Sequence, residues 1–353
     1  MGREIDYQTA ELNRTGRRVG TVYVGGGTPT CLSVSELCQV LEKIRLAFLE
    51  HAGGDGKDHG NGEIEFTVEA NPGTVDKVKL REMRALGVNR LSFGAQAFQD
   101  RLLVGIGRIH DASQIYEGIR LARREEFANI NIDLMYALPG QTMADWKETL
   151  KRAIDLDVEH ISIYGLMLEE GTGLYHRVKA GEAKLADEDL EVDMYYMAKD
   201  LLESAGFEHY ELSNFAQPGR RCQHNLIYWR VDPYLGIGAG AHSYMDQKRF
   251  NNAYNLEEYH RLILQKGEAV TECRHISRQE EMSDVMILGL RMLDGVDDSA
   301  FNERFGTGIM NVFGGAVSRC VESGLARWDG KVLSLTRRGL MLSNEAMREF
   351  VLP

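Results

Sequence analysis

The sequence predicts an α/β protein, a parallel β/α barrel or part-barrel followed by a small domain of helices and a hairpin. Three observations carry this expectation. Six strand-like runs alternate with amphipathic helix-like segments between residues 18 and 216. The strand ends collect glycines, carboxylates and amides, as the site-bearing face of a barrel does. After about residue 275 the alternation stops, and helical segments lead into a hairpin signal. An open doubly wound sheet is the alternative architecture for the first region.

The elements follow in order. RVGTVYV (18–24) precedes SVSELCQVLEKIRLAFLE (33–50), EIEFTVEA (63–70) precedes VDKVKLREMRALG (75–87), and NRLSFGAQ (89–96) precedes DASQIYEGIRLARREEF (111–127). NINIDLMYALP (129–139) then leads to MADWKETLKRAIDL (143–156), HISIYGLML (160–168) to DEDLEVDMYYMAKDLLESAG (187–206), and FEHYELSNFA (207–216) closes the series as one strand. The strands are short and rich in Ile, Val, Phe and Tyr, which suits a sheet covered by helices. GGDGKDHGNG (53–62) reads as a flexible polar loop without function. In the tail, SRQEEMSDVMILGLRML, DDSAFNERFG and GIMNVFGGAVSRCVESG precede LARWDGKVLSLT, whose Asp329-Gly330 joins two strand-like runs. This order predicts a small winged-helix-like domain over 275–353, after a connecting region over 216–274 and a barrel over 1–215.

Composition limits the function. The chain has 353 residues, 43% hydrophobic and 27% charged, with a formal net charge of −12. An acidic balance disfavours nucleic acid and anionic membranes, so the winged-helix-like tail is expected to pack rather than bind DNA. No apolar run is long enough to span a bilayer, and the start MGREIDYQTAELNRTGRR carries no signal-peptide core, so a cytoplasmic protein without stable membrane insertion is expected. Cys31, Cys38, Cys222, Cys273 and Cys320 form no framework and suit free thiols.

The strand ends carry the candidate chemistry. Gly25-Gly26-Gly27-Thr28-Pro29 follows the first strand and Glu69-Ala70-Asn71-Pro72-Gly73 the second. Gly94-Ala95-Gln96 ends the third, Asp133 lies near the end of the fourth, and Glu169-Glu170-Gly171-Thr172 ends the fifth. Glu69, Gln96 and Asp133 beside bare backbone suit a polyhydroxylated or zwitterionic ligand, because carboxylates pair with hydroxyls or ammonium and glycine admits close approach. Arg108, in VGIGRIH, offers a bidentate partner for a ligand carboxylate. Each residue also has a structural reading: a tight turn for the glycines, buried ion pairs for Glu69 and Asp133, a helix cap for Gln96, and a surface salt bridge for Arg108.

GGGTP, VEANPGT, GVNRLSFGAQAF, GRIH and NIDLMYALPGQT, in this order, resemble the radical S-adenosylmethionine proteins related to oxygen-independent coproporphyrinogen III oxidase. YELSNFAQPG, CQHNLIYW and YLGIGAGAHSY are similar to the HemW branch, the heme chaperones of that family. The resemblance runs from about residue 18 to the C-terminus. It implies a partial (β/α)6 barrel with a winged-helix-like tail. It also implies an S-adenosylmethionine site in which Gly26, Gly27 and Thr28 meet the amino-acid moiety, Arg108 the carboxylate and Asp133 a ribose hydroxyl, with Glu69 and Gln96 completing the pocket. The function implied is binding of heme and S-adenosylmethionine with transfer of heme to acceptor proteins; coproporphyrinogen III oxidation is the alternative.

The family holds a 4Fe-4S cluster on a C-x-x-x-C-x-x-C motif ahead of the glycine motif, and this chain has none. Radical chemistry by the chain as it stands is therefore not expected, and a start truncated of its first strand and cluster loop is expected in preference to loss of the activity. In Cys222-Gln-His224-Asn225-Leu-Ile-Tyr228-Trp229, an imidazole precedes two aromatics. Either His224 is an axial heme ligand, as the resemblance to HemW implies, or the segment is a loop in which His224 and Asn225 serve backbone groups. His242, in GAGAHSY, and Cys222 are weaker ligand candidates, and the surrounding glycines read as a structural turn.

Overall fold

The computed structural model describes residues 1–49 and 64–352, and GGDGKDHGNG (53–62) lies outside the described residues. The chain divides into two compact units, one of Val19–His209 with Ser213–Cys222, the other of Met1–Arg18, Tyr210–Leu212 and Gln223–Pro353. Helix α1 (Gly2–Thr15) opens the chain and belongs to the second unit.

The first unit is built as read from the alternation. β1 (Thr21–Val24), α2 (Val34–Ile44), β2 (Glu65–Ala70), α3 (Lys77–Ala85) and β3 (Arg90–Gln96) are followed by α4 (Asp100–Gly105) and α5 (Ala112–Arg124). β4 (Ile130–Tyr136), α6 (Met143–Asp155), β5 (His160–Gly165), α7 (Gly173–Lys179) and α8 (Glu188–Ser204) come next. Helix starts are set by side chains that satisfy the first backbone N–H groups: capping boxes form at Ser33/Glu36, Asp111/Gln114 and Thr142/Asp145, and Asp76 caps α3.

The closing run 207–216 departs from expectation. It forms two strands, β6 (Glu208–Glu211) and β7 (Asn214–Ala216), because the chain leaves the ladder at Leu212, whose N–H donates to the Arg291 carbonyl at 3.1 Å. β1 to β5 pair in parallel, whereas β7 runs antiparallel to β5. The result is a curled seven-stranded half-barrel sheet in the order β1-β2-β3-β4-β5-β7-β6.

Period-two alternation divides the sheet residues between two environments. Phe66, Val68, Leu91, Phe93, Ile130, Ile132, Leu134, Ile161 and Ile163 form the buried apolar set. The residues between them are polar, and the parallel register lines them up: Glu69 opposite Ser92, Ser92 opposite Asn131, Asn131 opposite His160, Asp133 opposite Ser162.

In the second unit, α9 (Gln223–Trp229) precedes β8 (His242–Met245), β9 (Lys248–Asn252), α10 (Leu256–Lys266) and β10 (Val270–His275). The three strands form an antiparallel sheet in the order β10-β9-β8. α11 (Arg278–Gly289), β11 (Val296–Asp297), α12 (Asp298–Phe305) and α13 (Ile309–Glu322) lead to β12 (Ala326–Trp328) and β13 (Val332–Leu335), and α14 (Arg337–Met341) and α15 (Ser343–Arg348) end the chain. β11, β13 and β12 form a second antiparallel sheet, and its hairpin turns at Asp329-Gly330, where Asp329 Oδ1 accepts the N–H groups of Lys331 and Val332.

Helix α1 is fastened by a buried carboxylate. Glu4, 1% exposed, accepts from Asn252 Nδ2 at 2.6 Å, from the Gly238 N–H at 3.0 Å and from Tyr259 Oη. We predict that Glu4→Ala, which leaves three buried donors without an acceptor, costs about 3 kcal/mol in urea unfolding. A loss below about 1 kcal/mol would show that these donors find other partners.

Candidate functional site

The glycine strand end sits directly beneath a carboxylate. A Cβ on Gly25 would come 2.7 Å from Glu69 Cδ and 2.8 Å from each carboxylate oxygen, so only glycine lets Glu69 lie across the end of β1. Tyr23 Oη donates to Glu69 Oε1 at 2.9 Å, and the Gly26 N–H also bonds this carboxylate. Burial pushes the Glu69 pKa up, Asp133 adds to the rise, and the two donors oppose it. Gly26 and Gly27 are exposed beside it, and Thr28 is half-buried.

The loop after the glycines is locked to the loop after β2. Lys79, buried on α3, donates from Nζ to the carbonyls of Thr30 at 2.5 Å and Thr74 at 2.9 Å. The Thr30 and Thr74 hydroxyls lie 2.6 Å apart, and the Asn71 N–H donates to Thr30 Oγ1 at 3.2 Å. These bonds tie the two strand-end loops together.

Asp133 stands at the top of a polar ladder inside the half-barrel. Asn131 Nδ2 donates to Asp133 Oδ1 at 2.9 Å and Ser92 Oγ donates to Oδ2 at 3.1 Å. Asn131 Oδ1 in turn accepts from His160 Nδ1 at 2.6 Å and Ser162 Oγ at 3.1 Å. The carboxylate of Asp133 fixes which way the Asn131 amide points, and this makes His160 the donor. Burial holds the His160 pKa well below the usual histidine range, with Arg90 adding to the effect, so the imidazole is neutral. Burial raises the Asp133 pKa, while its donors and Arg90 pull it down.

Gln96 ends β3 in an unusual conformation. Its φ is +66°, the β3–β4 register slips between Phe93 and Gln96, and its side chain lies over Gly94, where a Cβ would sit 3.0 Å from Nε2. A bulge with a left-handed non-glycine residue is a costly way to re-aim a side chain and marks functional strand ends. His110, buried behind it, bonds the Ala95 carbonyl at 3.3 Å.

Arg108 is half-buried, and among the described residues its guanidinium makes neither a hydrogen bond nor an ion pair. Burial lowers its pKa and Asp133 counters that shift, which puts the two in electrostatic range. The structure thus couples Gly26, Glu69, Asp133 and Arg108, and sets Gln96 in the strand between Glu69 and Asp133. Tyr23, Lys79, Ser92 and Asn131 complete the arrangement and were not singled out from sequence. The polar positions of NINID and RLSFGAQ alternate with apolar ones, a signal that could have found Ser92 and Asn131.

The second constellation lies on α9. His224 Nε2 is 2.9 Å from Tyr228 Oη, the two rings meet edge-on at 5.0 Å, and Tyr228 meets Tyr234 edge-on at 4.7 Å. The guanidinium of Arg291 covers Trp229 at 4.3 Å. Cys222 turns instead to Glu65, 3.5 Å from its Oε1. None of the five cysteines has the cluster-motif spacing, and among the described residues no three His, Cys, Asp or Glu side chains converge for a metal ion. Among the described residues, no set of side chains fits a 4Fe-4S cluster.

Because its pKa is raised, the Glu69 carboxyl holds its proton more tightly folded than unfolded, so stability falls as pH rises from the ordinary glutamate range through the raised value. We predict that Glu69→Gln melts at a higher temperature than the parent at pH 7, with the advantage vanishing at acid pH. Equal melting temperatures across the range, measured by circular dichroism, would contradict this.

The Radical SAM superfamily model matches residues 3–153 and the HemN C-terminal domain model matches residues 276–342. Heme chaperone HemW of Bacillus subtilis (strain 168) is 35% identical over 331 residues, 94% of this chain and 85% of its own length. Heme chaperone HemW of Lactococcus lactis is 33% identical over 351 residues, covering 98% of this chain and 87% of that protein. Among solved structures, coproporphyrinogen III oxidase (HemN) from Escherichia coli aligns with a TM-score of 0.82 over 99% of this chain and 81% of that one, at 22% identity, a likeness of fold. The chain belongs to the HemW family of radical SAM proteins.

Proposed function

We propose that this protein is a heme chaperone that binds S-adenosylmethionine at the half-barrel strand ends, holds heme through His224 and passes it to acceptor proteins. The observation that carries this reading is identity of 30–38% to several HemW heme chaperones, reaching 98% of this chain.

For S-adenosylmethionine, the support is chemical fit. The guanidinium of Arg108, half-buried and without a hydrogen-bond or ion-pair partner among the described residues, suits the ligand carboxylate; Gly26, Gly27 and Thr28 leave backbone open to the amino-acid moiety; Asp133, oriented by Asn131 and Ser92, suits a ribose hydroxyl. In this reading Glu69 and Gln96 complete the pocket. For heme, the support is His224 on α9. Its imidazole is the kind of nitrogen donor an iron ligand supplies, and coordination at Nε2 takes the place of the Tyr228 hydrogen bond. When bound, heme supplies an iron with open axial positions.

We predict a saturable Soret shift when ferric heme is titrated into the purified chain, and loss of its tighter phase, by at least about tenfold, in His224→Ala. An unchanged titration in that variant, with circular dichroism showing it folded, would overturn the assignment.

A further inference from the structure

The turn that ends β3 is strained, and it is held from outside the strand. Between Phe93, opposite Ile132, and Gln96, opposite Leu134, β3 takes three steps where β4 takes two, so Gly94 and Ala95 bulge opposite Asp133. The Ala97 N–H then donates back to the Ala95 carbonyl at 2.8 Å across Gln96, whose φ is +66°. A three-residue turn with a positive central φ is the rare, strained form, and such a residue persists only where its surroundings over-determine it. Gln96 is 6% exposed, yet among the described residues its side-chain amide makes no hydrogen bond. A buried amide left open in this way marks a place for a partner from outside the chain.

His110 supplies the hold. It comes from the segment between α4 and α5, is 3% exposed, and its Nε2 lies 3.3 Å from the same Ala95 carbonyl. A carbonyl only accepts, so Nε2 carries the hydrogen. Burial lowers the His110 pKa, so the ring is neutral and Nδ1 carries a lone pair. That Nδ1 is buried with no hydrogen-bond partner among the described residues. An apolar ring would fill the same volume without an unfilled nitrogen, so the imidazole is explained by the one polar contact it makes, the Nε2–H bond. The segment is itself fixed. The Arg108 N–H donates to the Leu103 carbonyl at 2.9 Å, the Ala112 N–H donates to Asp100 Oδ1 at 2.9 Å, and Asp111 caps α5. The imidazole is therefore carried by a frame that joins both helices to the end of β3.

We propose that His110 is a positioning residue for the strand-end site: by holding the Ala95 carbonyl it keeps the turn that presents the Gln96 amide to S-adenosylmethionine. Without this donor the Ala95 carbonyl keeps the Ala97 N–H alone, the strained turn loses its hold from outside the strand, and the Gln96 backbone is free to relax. The amide then leaves the place where the ligand meets it. His110 acts through Gln96 and does not touch the ligand. This inference rests on the S-adenosylmethionine reading of the strand ends and is independent of heme and of His224.

Calorimetric titration of S-adenosylmethionine into variants of the whole chain tests it. We expect His110→Phe, which keeps a ring and removes the donor, to bind about fivefold more weakly than the parent, the effect of one lost hydrogen bond. His110→Gln, whose amide N–H reaches the Nε2 position, restores most of the affinity. In a Gln96→Ala background His110→Phe has no further effect, a coupling that a merely structural role does not produce. Parent affinity in His110→Phe, with Arg108→Ala weakened, would overturn the role of His110 and leave the S-adenosylmethionine site standing. An equal loss with and without Gln96 would overturn it too, since His110 would then act by another route. No saturable binding by the parent would overturn the site reading and this inference together. Circular dichroism checks the fold of each variant; where His110→Phe unfolds, His110→Asn, whose amide reaches only the Nδ1 position, replaces it in the same cycle.

Discussion

A carboxylate inside a half-barrel is tolerable only if its lone pairs are filled, and the amide of Asn131 and the hydroxyl of Ser92 fill them for Asp133. The two hydrogens of the Asn131 amide reach Asp133 and Ser92, its oxygen gathers His160 and Ser162, and the chain of bonds crosses β3, β4 and β5 at one level. A buried network of this kind is stabilising when every member is satisfied and costly when one is not. It fixes the direction of Asp133, and through Asp133 the field in which Glu69 and Arg108 sit. Burial raises the pKa of both carboxylates, and for Glu69 the nearby Asp133 adds to the rise.

The second unit relies on another buried carboxylate. Glu4 comes from the first turn of the chain, yet its partners Gly238, Asn252 and Tyr259 lie more than two hundred residues later. Helix α1 therefore belongs structurally to the unit that carries His224 and His242. Its anchor is also the frame of the glycine-rich turn, so the opening of the chain and the exposed pair that His242 and Tyr254 make by a 2.7 Å hydrogen bond are mechanically one element.

Much of this was legible in the sequence. The alternation of strand and helix and the hairpin at Asp329-Gly330 are local signals, and local signals survive translation into structure. Glu69, Gln96 and Asp133 stood out because polar residues at apolar strand ends are uncommon. What escaped was set by register. That Asn131 faces Ser92 and His160 depends on which residue of each strand lies opposite which, and a single chain does not print that. The same is true of Gly25, whose need for a bare backbone arises from Glu69, and of Lys79, whose amine closes two loops distant in sequence. The reversal at Leu212 was hidden because its cause is a bond to Arg291, far along the chain.

Calorimetric titration of S-adenosylmethionine into the parent chain and into Arg108→Ala tests the central claim most directly. If the strand ends gather round a single zwitterionic nucleoside, the parent binds saturably and the variant binds at least about tenfold more weakly at unchanged fold, since a charge-assisted bidentate bond is lost. Equal affinity in the two proteins would mean that Arg108 faces no ligand carboxylate and that these side chains share no common guest.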